Sequence, residues 1–232
     1  SWAALQSEWR GLTAAESTRR HSALIEEIMF LGQQAADRSG LTLEADTSPY
    51  FLQSILYDHV ISLTEWLGRL RGRGTAAAAQ ATLDEGLRME LGVLSAMVGN
   101  AERTIRNQLQ RAYQADSALQ LSFQSKADKA LADVAAGQKI IREQVLGSSG
   151  VTISAGDYFS RLTQVIDSSF TLVDDMHAQL LQELEAKKAR MLKQMLLALI
   201  PTVLLVAIGS YLSLGVLIVL RQSVAELQAC SQ

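Results

Sequence analysis

"SPYFLQSILYDHVISLTEWLGRLRGRGTAAAAQ", residues Ser48 to Gln80, decides the fold class. Along it Leu52, Leu56, Val60, Leu63, Leu67, Leu70, Gly74 and Ala77 step by four or three, the spacing that places side chains on one face of an α-helix. A half-buried strand would alternate at every second residue, and this stretch does not. Ser48 followed by Pro49 reads as an N-cap with proline at the first helical position, where its missing N–H has no partner to lose. The stretch is predicted to be a helix over 49–80.

The same period extends in both directions. Upstream, a helix over 1–39 stops at Ser39-Gly40, a C-cap signal, and the linker "LTLEADTS" follows. Its apolar stripe of Leu5, Leu12, Leu24, Ile28 and Leu31 has no earlier helix in the sequence to pack on, so a preceding segment is expected to complete it. Met29 is the first methionine, and the chain is read as a piece of a longer or processed protein. Downstream, Thr82 and Glu85 have the spacing of a capping box for a helix over 83–114, carrying Leu87, Leu91, Leu94, Val98, Ala101 and Ile105. A helix over 117–146 carries Leu119, Phe123, Ala127, Leu131, Val134, Ile141 and Val145, and "GSSGVTISAGD" breaks it. The last, over 157–193, carries Phe159, Leu162, Ile166, Val173, Met176, Leu180 and Leu184. Bundle segments of about 30 residues with short connections predict an all-α, antiparallel up-and-down helical bundle.

No proline or glycine interrupts Tyr158 to Ile200, so the last helix is predicted to continue into "MLLALIPTVLLVAIGSYLSLGVLIVL", Met195 to Leu220. These 26 residues carry no ionisable charge. At about 1.5 Å per residue they exceed a hydrocarbon core of about 30 Å, so 194–220 reads as a transmembrane helix. The expected organisation is a helical sensor or ligand-binding domain over 1–193, the membrane helix, and 221–232 as the start of a further helix. Gly209 and Ser213 have the small-xxx-small spacing of paired membrane helices.

Composition narrows the function classes. With 21 basic and 24 acidic residues and a net charge of −3, the chain offers no basic stripe for phosphates, which argues against nucleic acid as a partner. Cys230 is the single cysteine, too few for a disulfide or a thiolate zinc site, and it is read as a plain thiol. His21, His59 and His177 fall on three different helices without metal-ligand spacing. No nucleophile elbow, phosphate-binding glycine loop or kinase signature is present, so neither metal, cofactor nor catalysis is expected.

The chemistry-bearing stretch is "GRLRGRGTAAAA", Gly68 to Ala79. On a helical wheel Gly74 lies in the apolar stripe, whereas Gly68, Gly72, Ala76 and Ala79 form a second, small-residue face. Each interior glycine costs about 0.5–1 kcal/mol relative to alanine. That cost points to close packing or a dimer face at Gly68, Gly72, Gly74 and Ala76, or to a ligand lying against the bare backbone; the alternative is a bent or frayed segment. Arg69 follows Glu65 by four residues, the favourable order for a surface ion pair. Arg71, at the stripe's edge beside Val60 and Leu67, is placed to grip a carboxylate or another oxyanion. Arg73 borders the glycine face. Arg71, Arg73 and then Arg69 are the candidate anion ligands; the alternative is that they are surface residues whose stems lie on the helix while their heads reach solvent.

Three stretches resemble the sensory region of bacterial transmembrane receptors, most closely methyl-accepting chemotaxis proteins, with relatives among sensor histidine kinases and diguanylate cyclases. "HSALIEEIMFLGQQAADRSGLTLEADTSPYFLQSIL" is similar to that family's helix, Ser-Asn-Leu-Thr-Leu-Asp-Pro linker and Tyr-Tyr-Leu start, with Gly40 in place of the asparagine and Glu44-Ala45 in place of Asp-Pro. "LTEWLGRLRGRGTAAAA" resembles its Leu-Gly-Arg-Leu-Arg-Gly-x-Gly segment. "YFSRLTQVIDSSFTLVDDMHAQLLQELEAKKARMLKQ", the apolar run and "RQSVAELQA" resemble the passage through the membrane into a HAMP signalling helix. "RLRGRG" is also similar to the arginine-glycine motif of nitrate/nitrite-sensing helical domains, which implies an anion site at Arg71 and Arg73. The resemblance implies a homodimeric receptor in the bacterial inner membrane, its bundle in the periplasm binding a small, anionic ligand and its C-terminus cytoplasmic.

A second class competes. Lys187, Lys188, Arg190 and Lys193 precede the apolar run and only Arg221 closely follows it, the reverse of the positive-inside pattern for a periplasmic bundle. That distribution fits a tail-anchored cytoplasmic helical adaptor whose basic cluster faces acidic lipids.

Overall fold

The computed structural model describes residues 2–147 and 150–230, with the side chains of Ala14 and 224–230 left aside. Among the described residues there are helices and turns and no strand. The elements are α1 (Trp2–Glu8), α2 (Ala14–Arg38), α3 (Thr47–Ser54), α4 (Ile61–Gln80), α5 (Glu85–Ala115), α6 (Ser117–Ile140) and α7 (Ala155–Cys230). The chain divides into two compact units, Ser1–Leu181 and Gln182–Gln232.

Within the first unit the register is read from contacts between helices. Arg73 of α4 pairs with Glu90 of α5, and Gln108 of α5 reaches back to Ser54 at the end of α3. Gly99 of α5 lies against Gln138 of α6, and Arg106 faces Asp128. Lys126 and Asp133 of α6 bind Asp175 and Ser168 of α7. Arg71 of α4 and Tyr57 just before it meet Thr163 and His177 of α7. Rising numbers on one helix meet falling numbers on the next all the way round, so α3–α4, α5, α6 and the first part of α7 close an up-and-down four-helix bundle.

The stripes read from the sequence make its core. Leu52, Leu56, Val60, Leu63, Leu67, Leu70 and Ala77 are buried, as are Leu91, Val98 and Ile105 of α5 and Leu119, Phe123, Leu131 and Val134 of α6. Two segments depart from a regular helix. Ile55–Val60 and Ile141–Val145 form π turns. Each widens the helix by a residue locally, and Ile55, Leu56, Val60, Ile141 and Val145 remain inward through it.

Several boundaries correct the sequence reading. The single helix expected over 1–39 is broken: Trp9–Gly11 is a 3-10 turn and Thr13 caps α2, accepting the amide of Glu16 at 3.2 Å. Ser48 is not an N-cap, since the helix begins at Thr47 after Asp46, and Ser48 Oγ is buried without a hydrogen bond. Pro49 stays within the first turn, where its missing N–H is tolerated. Asp84, not Thr82, caps α5 by accepting the amide of Leu87 at 2.8 Å, because it is the last residue before the helical backbone begins. The last helix starts at Ala155 rather than Asp157, and Ser154 with Asp157 makes the reciprocal cap: the Asp157 amide donates to Ser154 Oγ and that hydroxyl to the Asp157 carboxylate.

α2 packs outside the bundle against α4 and the π turn before it. Ser22 donates to Glu65 at 2.9 Å, Arg69 reaches Glu26, and Gly32 lies beside the Tyr57 ring. Its other side stays open, with Ile28, Phe30 and Leu31 exposed, whereas Leu5 of α1 is buried. In the second unit α7 carries an 18-residue window of mean hydropathy 2.6, none of it buried. Among the described residues it is the one helix long and apolar enough to cross a membrane. Pro201 lies inside it without ending it, and Thr202 donates its hydroxyl to the Ala198 carbonyl at 2.9 Å, hiding a polar group within the apolar run.

Candidate functional site

The glycines of α4 sort by what faces them. Gly74 is buried, and a Cβ built on it would stand 2.2 Å from Tyr158 Oη and 2.3 Å from Cζ. The Tyr158 ring of α7 fills that slot, fully buried, and its hydroxyl donates to the Leu70 carbonyl at 2.8 Å. Burial pushes its phenol above the ordinary range, since nothing nearby compensates a phenolate. Gly68 and Gly72 face open space, and Ala76 is exposed beyond them. The four small residues therefore do not form one surface: Gly74 seats α7, and Gly68, Gly72 and Ala76 line an outer face.

The arginines separate just as clearly. Arg69 donates to Glu65 at 2.7 Å and reaches Glu26 at 3.3 Å, and Glu65 also accepts from Ser22. Arg73 forms a fork with the Glu90 carboxylate through Nε and Nη2, at 2.9 and 3.0 Å from Nε. Each carboxylate raises its guanidinium's pKa above the ordinary value. Both charges are already matched within the fold.

Arg71 differs. Its Nη1 donates to Thr163 Oγ1 at 3.0 Å, and its guanidinium lies over the Phe159 ring at 4.8 Å. Thr163 in turn donates to the Phe159 carbonyl, which fixes its hydroxyl as the acceptor for Arg71. Among the described residues no carboxylate pairs with Arg71, so a half-buried cation stands between α4 and α7 with most of its donors uncommitted. Of the three candidate ligands, the fold leaves this one to meet an anion.

The partners on α7 escaped the sequence reading, which assigned Phe159 to the core. Phe159 is 47% exposed and Tyr158 is the buried residue. The stripe runs Tyr158, Leu162, Val165, Ser169, Leu172, Met176 and Leu180, and Phe159 stands at its rim facing Arg71. Beginning that stripe one residue earlier keeps steps of three and four, and that was the available signal.

A larger groove of about 750 Å³ lies between α6 and α7, lined by Lys126, Lys129, Asp133, Arg161 and Asp175 among others. Its lysines are matched: Lys126 pairs with Asp175 at 2.6 Å and Lys129 stands 3.7 Å from Asp133. Arg161 also lines this groove, exposed and with no carboxylate partner among the described residues; Arg71 differs in being half-buried between two helices of the bundle, held by Thr163 and Phe159. Among the described residues no group of three or more His, Cys, Asp or Glu gathers as metal ligands. His177 stands by Tyr57 and His59 by Gln108, on separate sides of α3–α4. The Cys230 side chain and the far end of the expected signalling helix, 231–232, lie outside the described residues.

No family model, curated protein or solved structure matches the chain.

Proposed function

We propose that the chain is the input region of a bacterial transmembrane signalling receptor of the chemoreceptor type. The helical bundle binds a small anion on the periplasmic side, α7 crosses the inner membrane, and the helix beginning at Arg221 leads to a cytoplasmic output. The observation that carries this reading is the placement of Arg71. The one arginine of its cluster without a carboxylate stands between α4 and α7, and α7 is the helix that holds the apolar run.

The mechanism follows from that contact. A carboxylate or other oxyanion accepting from the free donors of Arg71 pulls the guanidinium relative to Thr163 and Phe159, both on α7. Two arrangements of α7 then bind the ligand unequally, and the ligand shifts their populations. Charge-assisted hydrogen bonds of this kind contribute about 1.5–3 kcal/mol. A full switch from 1:99 to 99:1 needs about 5.5 kcal/mol of differential affinity, so groups beside Arg71 must add to it. The chain acts as a homodimer.

The test is a thermal-shift and calorimetric screen of small carboxylates and inorganic oxyanions on the full chain in detergent. A ligand that binds the wild type should lose about 10–150-fold in affinity with Arg71→Ala and little with Arg73→Ala. Equal losses with both, or none with Arg71→Ala, would remove Arg71 from the site.

The second reading, a tail-anchored cytoplasmic adaptor, is favoured by the four cations from Lys187 to Lys193 on the bundle's side of the apolar run. It predicts binding of partner helices, with no small ligand at Arg71.

A further inference from the structure

We infer that Lys187, Lys188, Arg190 and Lys193 form a collar that binds anionic phospholipid headgroups in the leaflet on the bundle's side. This rests on the reading of Met195–Leu220 as a membrane helix. The argument begins with distance. In a continuous helix these residues precede Met195 by eight, seven, five and two positions, about 12 to 3 Å at 1.5 Å per residue. A bilayer about 40–45 Å thick with a core of about 30 Å leaves a polar layer of about 5–8 Å on each side. Lys188, Arg190 and Lys193 reach that layer, because lysine and arginine extend their heads along the helix toward phosphates while the stems stay against apolar surface; Lys187, the furthest out, already has a contact of its own and is the outermost member.

Azimuth is the second argument. At 100° per residue, Lys188, Arg190 and Lys193 stand about 100°, 300° and 240° round the helix from Lys187. A site for a partner protein would gather its cations on one face; these surround the helix, as an annulus of lipid does. Charge sign is the third. From Ala186 to Val224 the sequence contains no Asp or Glu, so the acidic residues on this part of α7, Glu183 and Glu185, lie on the far side of the collar from the membrane.

The experiment reconstitutes the full chain in phosphatidylcholine vesicles containing trace spin-labelled phosphatidylglycerol or spin-labelled phosphatidylcholine. Electron spin resonance then compares how each labelled lipid associates with the protein. The wild type should prefer phosphatidylglycerol by about fivefold, the factor that corresponds to about 1 kcal/mol for one cation near the surface. K187Q/K188Q/R190Q/K193Q should reduce the preference to near unity, while K187R/K188R/K193R retains it. Equal preference in wild type and glutamine variant, with both resisting alkaline extraction, overturns the collar and leaves the membrane helix standing. Extraction of the wild type by alkali overturns the membrane reading and the collar with it. Loss of the preference on adding inorganic phosphate at constant ionic strength also overturns the proposal, by showing a site for free phosphate instead of lipid.

Discussion

Gly74→Ala and Gly72→Ala, two positions apart on α4, should move stability in opposite directions. At Gly72 a new methyl meets nothing within 4 Å, so only the helical preference for alanine acts, worth about 0.5–1 kcal/mol in favour of the variant. At Gly74 the same gain applies, but the methyl would stand 2.2–2.5 Å from Oη, Cζ and Cε1 of Tyr158. The ring has to retreat, losing the hydrogen bond to Leu70 at about 1 kcal/mol and straining a closed part of the core by about 1–3 kcal/mol. The net is a destabilisation of about 1–3 kcal/mol. For a chain of this length each kcal/mol moves the melting temperature by about 2–4 °C. Melting of the full chain in detergent, followed by helical circular dichroism, should show Gly72→Ala rising by a few degrees and Gly74→Ala falling. Tyr158→Leu should shrink the cost of Gly74→Ala, since the clashing atoms are gone. Equal stabilisation by both alanines, or no coupling between positions 74 and 158, would refute the seating of Tyr158 in that slot.

Other perturbations follow from the same contacts. Tyr158→Phe should cost about 1 kcal/mol by deleting the bond to Leu70, whereas Tyr113→Phe should be neutral or stabilising, because the Tyr113 hydroxyl is buried without a partner; paired thermal melts decide this. Asp84→Ala should destabilise by about 1 kcal/mol and Thr82→Ala by little, a direct check on which residue caps α5. Glu16 accepts hydrogen bonds from Arg19 and Arg20, which lower its pKa from 4.5 to about 2. Its stabilising effect is therefore complete above about pH 4.5 and is lost as pH falls toward 2, and carboxyl NMR should find Glu16 still ionised at pH 3.5, where an ordinary glutamate is mostly protonated.

Helices, their order and the core stripes were legible because apolar periodicity is a local property: the spacing of Leu91, Val98 and Ile105 is the same in the sequence and in the core. Caps were less so. Ser, Thr and Asp are all competent caps, and Ser48 and Thr82 lost to Asp46 and Asp84 because backbone geometry, rather than side-chain type, selects the cap position. The π turn at Ile55–Val60 had no such local sign, since Phe123, Ala127 and Leu131 also step twice by four and stay buried in the regular helix α6. At the site, the pair Glu65–Arg69 was readable since it lies within one helix. Glu90 with Arg73, and Thr163 and Phe159 with Arg71, depend on the register between helices, which no local pattern carries. Arg71 acquired its distinction only when the fold matched the charges of its two neighbours.

The central claim is that the bundle faces the outside of the cell and α7 carries its state inward. The direct measurement is topology in the native full-length protein, with Cys230→Ser and a single cysteine at Ser125, an exposed position on α6. Intact cells are treated with a membrane-impermeant maleimide. Labelling at position 125 in intact cells is the predicted result. Labelling only after lysis would contradict the receptor account and place the bundle in the cytoplasm with the adaptor reading.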